Sequence, residues 1–352
     1  MAGAEPAASP PPPRANPNLV GHAAAEAGLA RAFAQGRLAH AWLITGPRGI
    51  GKATLAYRFA RYVFARRAGE SPRASKDAPS LFGPPEASAE RAGLYLSPTD
   101  PVFRRIASGG HADLFAAEPG FDEKKGVRRS EILVGDVRGI GHFLSLTPAE
   151  GGWRVVIVDS ADEMNRNAAS ALLKVLEEPP PKALLLLVSH NPGALLPTIR
   201  SRCRRLRLKP LAEADAARVL APLLPALSAP EIAELARLAE GSPGRALELA
   251  DQDGLALQRE LDELLARMPA LDGVALQRFG DRVGRSGAET AFRIASEILC
   301  RWLARRATAD PGRWLDPRDR IDGLLGRVEG LNLDRKSVMM DAFFQVREAA
   351  RA

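Results

Sequence analysis

Residues 41–53, Ala-Trp-Leu-Ile-Thr-Gly-Pro-Arg-Gly-Ile-Gly-Lys-Ala, constrain the fold of this chain more than any other stretch. The apolar run 41–45 does not alternate with polar residues, the pattern of a strand covered on both faces. Residues 53–65 read as a helix. Between them lies Gly46-x-x-x-x-Gly51-Lys52, the spacing of a phosphate-binding P-loop. Glycines let the backbone curl until successive N–H groups converge. The following helix start adds the positive end of its dipole, and Lys52 adds a full charge for β and γ phosphates. Gly46, Pro47, Arg48, Gly49, Ile50, Gly51, Lys52 and Ala53 are therefore candidate nucleotide-binding residues. Ala53 breaks the pattern, because a Ser or Thr hydroxyl at that position ordinarily holds Mg²⁺. Thr54 carries a hydroxyl but lies about 100° farther round the helix. Such a loop is expected to hold phosphate and to be poorly equipped for the metal.

The same layout recurs along the chain. Residues 113–117 are a short strand candidate, and residues 136–144 place Val137, Ile140 and Leu144 on one helical face. Residues 155–158 are wholly apolar and end in Asp159. Residues 166–178 form a helix expected to bury Ala168, Leu172, Val175 and Leu176, stopped by the prolines at 179–181. Residues 183–188 are another buried strand. Apolar strands separated by helices indicate a parallel sheet covered on both faces. From Lys209 the pattern is helical, with a capping box at Ser228–Glu231 and helix starts at Ser242-Pro243 and Asp334. Phe292, Ala295, Leu299, Trp302 and Leu303 share one face of a longer helix, as a bundle core would require. The expected fold is α/β: a P-loop parallel-sheet domain, a small helical lid and a C-terminal all-helical domain. The expected boundaries are a disordered tail at 1–18, the sheet domain at 19–208, the lid at 209–252 and the helical domain at 253–352. Residues 66–110, rich in Pro, Ser, Ala and Gly, read as a surface insertion within the sheet domain.

Composition narrows the function. The 352 residues include two cysteines, too few for a disulfide framework or a four-cysteine zinc module, and suited to a reducing cytoplasm. The net charge of +7 leans toward nucleic acid or an acidic partner. No apolar run approaches the length needed to span a membrane, and residues 1–18 lack the order of a signal peptide.

Asp159 closes a buried parallel strand, where nucleotides bind and where an acid holds Mg²⁺ through its water shell. Ser160 follows, where ATPases of this arrangement often carry a water-aligning Glu. Asp162 reads as a turn or helix-start residue. Ser201-Arg202-Cys203 lies within a basic run of Arg200, Arg202, Arg204, Arg205, Arg207 and Lys209, and on composition alone that run is a solvated face. Gly241-Ser-Pro-Gly-Arg245-Ala-Leu reads equally as an ordinary helix start.

Together these stretches resemble the bacterial clamp-loader family within the AAA+ ATPases. The resemblance rests on Leu38-Ala-His-Ala-Trp-Leu, Ala171-Leu-Leu-Lys-Val-Leu-Glu-Glu-Pro-Pro, Ser201-Arg-Cys, Gly241-Ser-Pro-Gly-Arg-Ala-Leu and Asn332-Leu-Asp-Arg-Lys. It implies that the C-terminal helical domain is a collar joining other subunits. It implies a five-membered ring with δ and the ATP-hydrolysing γ or τ subunits, part of the DNA polymerase III holoenzyme, a nucleotidyltransferase complex. That ring loads the β sliding clamp on primed DNA in chromosome replication. The resemblance makes Lys52 the P-loop lysine, Asp159 the strand-end acid and Arg245 a lid arginine facing phosphate. Arg202 becomes an arginine finger reaching a neighbour's ATP site, and either His190 or Asn191 a sensor. Many relatives carry four zinc-binding cysteines after the P-loop helix; residues 66–110 contain none, so no zinc is expected. With Ala53 and Ser160 in place, weak ATP binding and little hydrolysis by the chain alone are expected, as in a non-motor member of the ring. A γ/τ-type motor and a different P-loop protein, such as a helicase loader, are the competing readings.

Overall fold

The computed structural model describes residues 10–66, 93–122, 127–129, 131–150, 152–251, 254–331 and 333–351. Contacts divide the chain into two units, Met1–Gly244 and Arg245–Ala352.

The first unit contains α1 (Ala23–Ala34), β1 (Ala41–Thr45), α2 (Lys52–Ala65), α3 (Pro101–Ala107), β2 (Leu114–Ala117), β3 (Phe121–Asp122), β4 (Val127–Arg128), α4 (Val134–Ser145), β5 (Arg154–Val158), α5 (Arg166–Glu177), β6 (Ala183–Ser189), α6 (Pro197–Arg202), β7 (Arg204–Arg207), α7 (Glu213–Leu220) and α8 (Ala229–Leu238). Five strands form one sheet in the order β2-β5-β6-β1-β7, and every pair is parallel. β3 and β4 form a separate antiparallel pair. β1, β5 and β6 are buried along their whole length, as non-alternating apolar runs require. Ala41, Leu43, Val156, Val158, Leu185 and Leu187 meet Val137, Ile140 and Leu144 of α4 and Leu172 and Leu176 of α5 in one core. Val175 is only partly buried against that core, so α5 buries a narrower face than its sequence suggests. α2 packs against β1, β5 and β6.

Two expectations change. Of the tail expected at 1–18, residues 1–9 lie outside the described residues, while residues 10–18 are placed against the fold. They form a strap with a short 3-10 turn at Pro13–Ala15 that contacts α2 and α3. Its anchor is a pair of buried arginines on α2. Arg58 donates to Pro17 O and pairs with Glu26 at 2.6 Å, both side chains nearly inaccessible. Arg61 donates to Asn16 O at 2.9 Å and lies 4.4 Å over the Phe103 ring. Burial lowers the Arg61 pKa to about 10, still charged at neutral pH. Nor is 66–110 wholly an insertion: Asp100 caps α3, which buries Phe103 and Ile106, and Leu94 is fully buried. Residues 67–92 of that stretch lie outside the described residues.

The division between units falls inside α9 (Pro243–Asp251). The second unit continues with α10 (Gly254–Ala266), α11 (Gly273–Gly284), α12 (Glu289–Ala309), α13 (Pro311–Leu325), α14 (Val328–Leu331) and α15 (Arg335–Arg351). α12 packs on α10, α11 and α13, and α15 on α11 and α13. Phe279 and Phe343 meet edge to face at 5.9 Å, and Trp302 and Trp314 at 5.2 Å. The face expected of α12 is confirmed, with Trp302 alone partly exposed.

Candidate nucleotide-binding loop and its neighbours

The P-loop leaves the end of β1 as the sequence suggests, although α2 begins one residue earlier than expected, at Lys52. Gly46 has φ 147°, and a Cβ there would stand 2.6 Å from Leu208 O, so no other residue fits without moving β1 from the chain after β7.

Five consecutive loop carbonyls are tied to groups around them. Lys52 Nζ donates to Gly46 O at 2.9 Å and to Pro47 O at 2.6 Å. Ser242 Oγ donates to Arg48 O at 2.6 Å, and Gly244 N to Gly49 O at 3.0 Å. His22 Nε2 donates to Ile50 O at 2.8 Å. A trans peptide points its N–H opposite to its C=O. Anchoring the carbonyls of Arg48, Gly49 and Ile50 therefore turns the amides of Gly49, Ile50 and Gly51 to the other side, the arrangement of an anion nest. Gly244 approaches so closely that a Cβ would lie 2.7 Å from Gly49 Cα.

Lys52 is buried, and burial pulls its pKa from 10.5 down to about 8, against the opposing pull of Asp159 and Asp162. Charged at neutral pH, it offers a cation to phosphate. The residues fit a phosphate group in this respect. They do not supply the usual metal hydroxyl, because Ala53 has none and Thr54 is buried. Asp159 is half-buried at the end of β5, and its N–H donates to Ala117 O at 2.9 Å. Ser160 takes φ 60°, a left-handed conformation uncommon outside glycine, and bends the chain after the strand.

Asp162 does more than start a turn. Its carboxylate, 3 % exposed, accepts from His190 N at 3.2 Å and Asn191 N at 3.0 Å, and stands 3.1 Å from His190 Nδ1. It thereby ties the end of β5 to the end of β6. Both sensor candidates sit on this carboxylate, His190 through its ring and backbone and Asn191 through its backbone.

Arg202 is the last residue of α6. Its Nη1 donates to Thr198 O at 3.1 Å and its Nη2 lies 2.8 Å from Glu177 Oε1. Both partners of that pair are substantially exposed. Glu177 belongs to the Leu-Glu-Glu-Pro-Pro block, so two motifs far apart in sequence touch here. Cys203 anchors the junction in the core, where burial pushes its thiol up to about 11. The basic run is largely exposed, as a solvated face would be, and Arg204-Arg205-Leu206-Arg207 within it is the edge strand β7, paired with β1. Arg245, in the second unit, stands 3.5 Å from Glu297.

Comparison with known proteins agrees with the sequence motifs. Residues 98–212 match the family model described as DNA polymerase III, delta subunit. The δ′ subunit of DNA polymerase III from Pseudomonas aeruginosa is 38% identical over 221 residues, covering 63% of this chain and 58% of that protein. The τ subunit of Escherichia coli is 29% identical over 249 residues, covering 68% of this chain and 33% of that protein. The match thus spans little more than half of the first relative and a third of the second. Among solved structures, a DNA polymerase III gamma subunit-related protein from Thermotoga maritima aligns at 19% identity and a TM-score of 0.43, covering 92% of this chain and 99% of that one. In sequence, this chain is similar to δ′ subunits of bacterial DNA polymerase III over the part of those proteins that the match spans.

Proposed function

We propose that this chain is a δ′-type subunit of a clamp loader. It assembles with δ and γ or τ subunits into the ring that loads the β sliding clamp onto primed DNA, as part of the DNA polymerase III holoenzyme in the cytoplasm. Residues 19–208 are its nucleotide-binding-like domain, 209–252 its lid and 253–352 its collar. Arg202 acts in trans on a neighbour's ATP, while Gly46, Pro47, Arg48, Gly49, Ile50, Gly51, Lys52, Ala53, Asp159 and Asn191 form a site that binds ATP weakly and turns it over little, and Arg245 is a nucleotide-binding residue on the strength of its motif.

The observation that carries this reading is the setting of Arg202. A guanidinium is permanently charged and presents a planar fork to phosphate oxygens. Here it sits on the surface, held by one exposed carboxylate, Glu177. An exposed pair is worth about 0–1 kcal/mol, so a triphosphate can take the arginine over. The chain's own loop lacks the metal hydroxyl, which directs the arginine's use to another subunit.

The test is Arg202→Ala in a reconstituted ring. An arginine supplied in trans can be worth ~10³–10⁵ in rate. A smaller drop is expected here, because other ATP sites in the ring keep their own fingers. The variant should assemble normally, slow clamp-stimulated ATP hydrolysis and load fewer clamps, while Arg205→Ala should leave turnover near wild type. Wild-type hydrolysis and loading by the Arg202→Ala ring would refute the role.

A motor of the γ/τ type is the second reading, favoured by the intact Gly46, Gly51 and Lys52. Steady ATP hydrolysis by the isolated chain, lost in Lys52→Ala, would establish it.

A further inference from the structure

At the opposite end of β1 from the P-loop, α1 and the edge strand β7 border an open cleft of about 490 Å³. It is lined by Gly28, Arg31, Ala32, Gln35, Arg37 and Arg204. The sequence of α1 explains why a cleft exists. Gly28 and Ala32 lie one turn apart and carry almost no side chain, so this strip of the helix is low. Arg31 and Gln35 have the same spacing and line the same cleft.

Two further devices bring arginines to it. α1 ends in a Schellman turn: Gly36, at φ 64°, donates to Phe33 O at 3.0 Å, and Arg37 N donates to Ala32 O at 3.0 Å. That reversal sends Arg37 back to the cleft. Arg204 is placed by register, directly across from Trp42 in the β1–β7 pair. Its guanidinium lies 4.9 Å from the centre of the Trp42 ring, which is itself buried. Stacking fixes the plane of a guanidinium and leaves the edge of its N–H fork available.

Three guanidinium groups thus share one cleft, no carboxylate lines it, and among the described residues none of the three has a recorded ion pair. The lining contains no apolar side chain larger than alanine, so an acidic peptide would find no anchor for a hot spot. A phosphodiester needs only cations and donors, which arginine supplies in matched pairs. The geometry points to a binding site for the phosphate backbone of nucleic acid in the cleft between α1 and β7, indifferent to base sequence. It stands on its own residues and is independent of Arg202 and of ring assembly.

The test measures fluorescence anisotropy of a labelled oligothymidylate of about 20 nucleotides with the full chain, from 25 to 200 mM KCl. The Arg31→Gln/Arg37→Gln/Arg204→Gln variant is compared with Arg237→Gln/Arg285→Gln/Arg320→Gln, which removes the same charge from exposed positions elsewhere. Each phosphate contact with a single strand contributes about 0.7 to the slope of log K against log salt. The cleft variant should lose about two units of slope and bind about a hundredfold more weakly at 0.1 M salt. Arg31→Gln/Arg37→Gln, which keeps the Arg204–Trp42 stack, should lose about two thirds of that slope. The control should stay within about twofold of wild type. Equal slopes for the cleft variant and wild type, or equal losses in variant and control, overturn the site. So does a labelled poly-glutamate of similar length that binds more tightly than the oligonucleotide and is released by the cleft variant, which would make the partner an acidic protein.

Discussion

Lys52 gives the loop a pH dependence of its own. Its pKa falls from 10.5 in the unfolded chain to about 8 in the folded one. Below pH 8 both states hold the proton, and the cost of burying the charge is paid in full. Between pH 8 and 10.5 the unfolded chain binds the proton that the folded chain has released, so stability rises with pH across that window. Urea unfolding at pH 7.5 and pH 10 should show a gain of about 2 kcal/mol in the wild type relative to Lys52→Met. Equal pH dependence in the two proteins would exclude this account. Asp162 invites a second measurement. Asp162→Ala strips acceptors from two backbone amides at the end of β6, and an unsatisfied buried donor costs about 1–3 kcal/mol. Asp162→Asn keeps one acceptor and should lose less. At this scale Lys52 was legible, because glycine spacing names it. Asp162 was not, since its partners lie twenty-eight and twenty-nine positions away and nothing local announces them.

The arginines of α2 decide what the N-terminal strap does. Arg58→Ala leaves Glu26 buried without its partner, an uncompensated charge that costs about 3–5 kcal/mol. Replacing the pair together, as Arg58→Met/Glu26→Leu, should recover most of that loss in thermal or urea unfolding. If the double variant is as unstable as Arg58→Ala, the charge is not the cause. Gly244→Ala tests the start of α9 against the P-loop. The added methyl meets backbone at Gly49, which cannot swing aside as a side chain would, so overpacking should cost about 1–3 kcal/mol. Elements were readable where their pattern was local: β1, β5 and β6 as unbroken apolar runs, α5 as an amphipathic period ended by prolines. β7 escaped because an edge strand tolerates charge, and Arg204-Arg205-Leu206-Arg207 looks like surface until β1 pairs with it. The strap escaped because the groups that order it, Arg58 and Arg61, lie more than forty residues further on.

Across the whole chain, contacts define two units, and the division between them falls within α9. Cores that close independently need not melt together. Calorimetry should therefore give a van't Hoff enthalpy below the calorimetric enthalpy; agreement of the two would mean that the chain unfolds as one cooperative body. The order of strands has a further consequence, for the making of the protein. β1 is finished at Thr45, yet its two neighbours in the sheet are Ala183–Ser189 and Arg204–Arg207. A ribosome adding about 5–20 residues per second takes roughly 8–30 s to cross that interval. Until β6 emerges, β1 is present in the nascent chain with neither edge paired, so translation speed between β1 and β6 sets how long that strand depends on chaperones for cover.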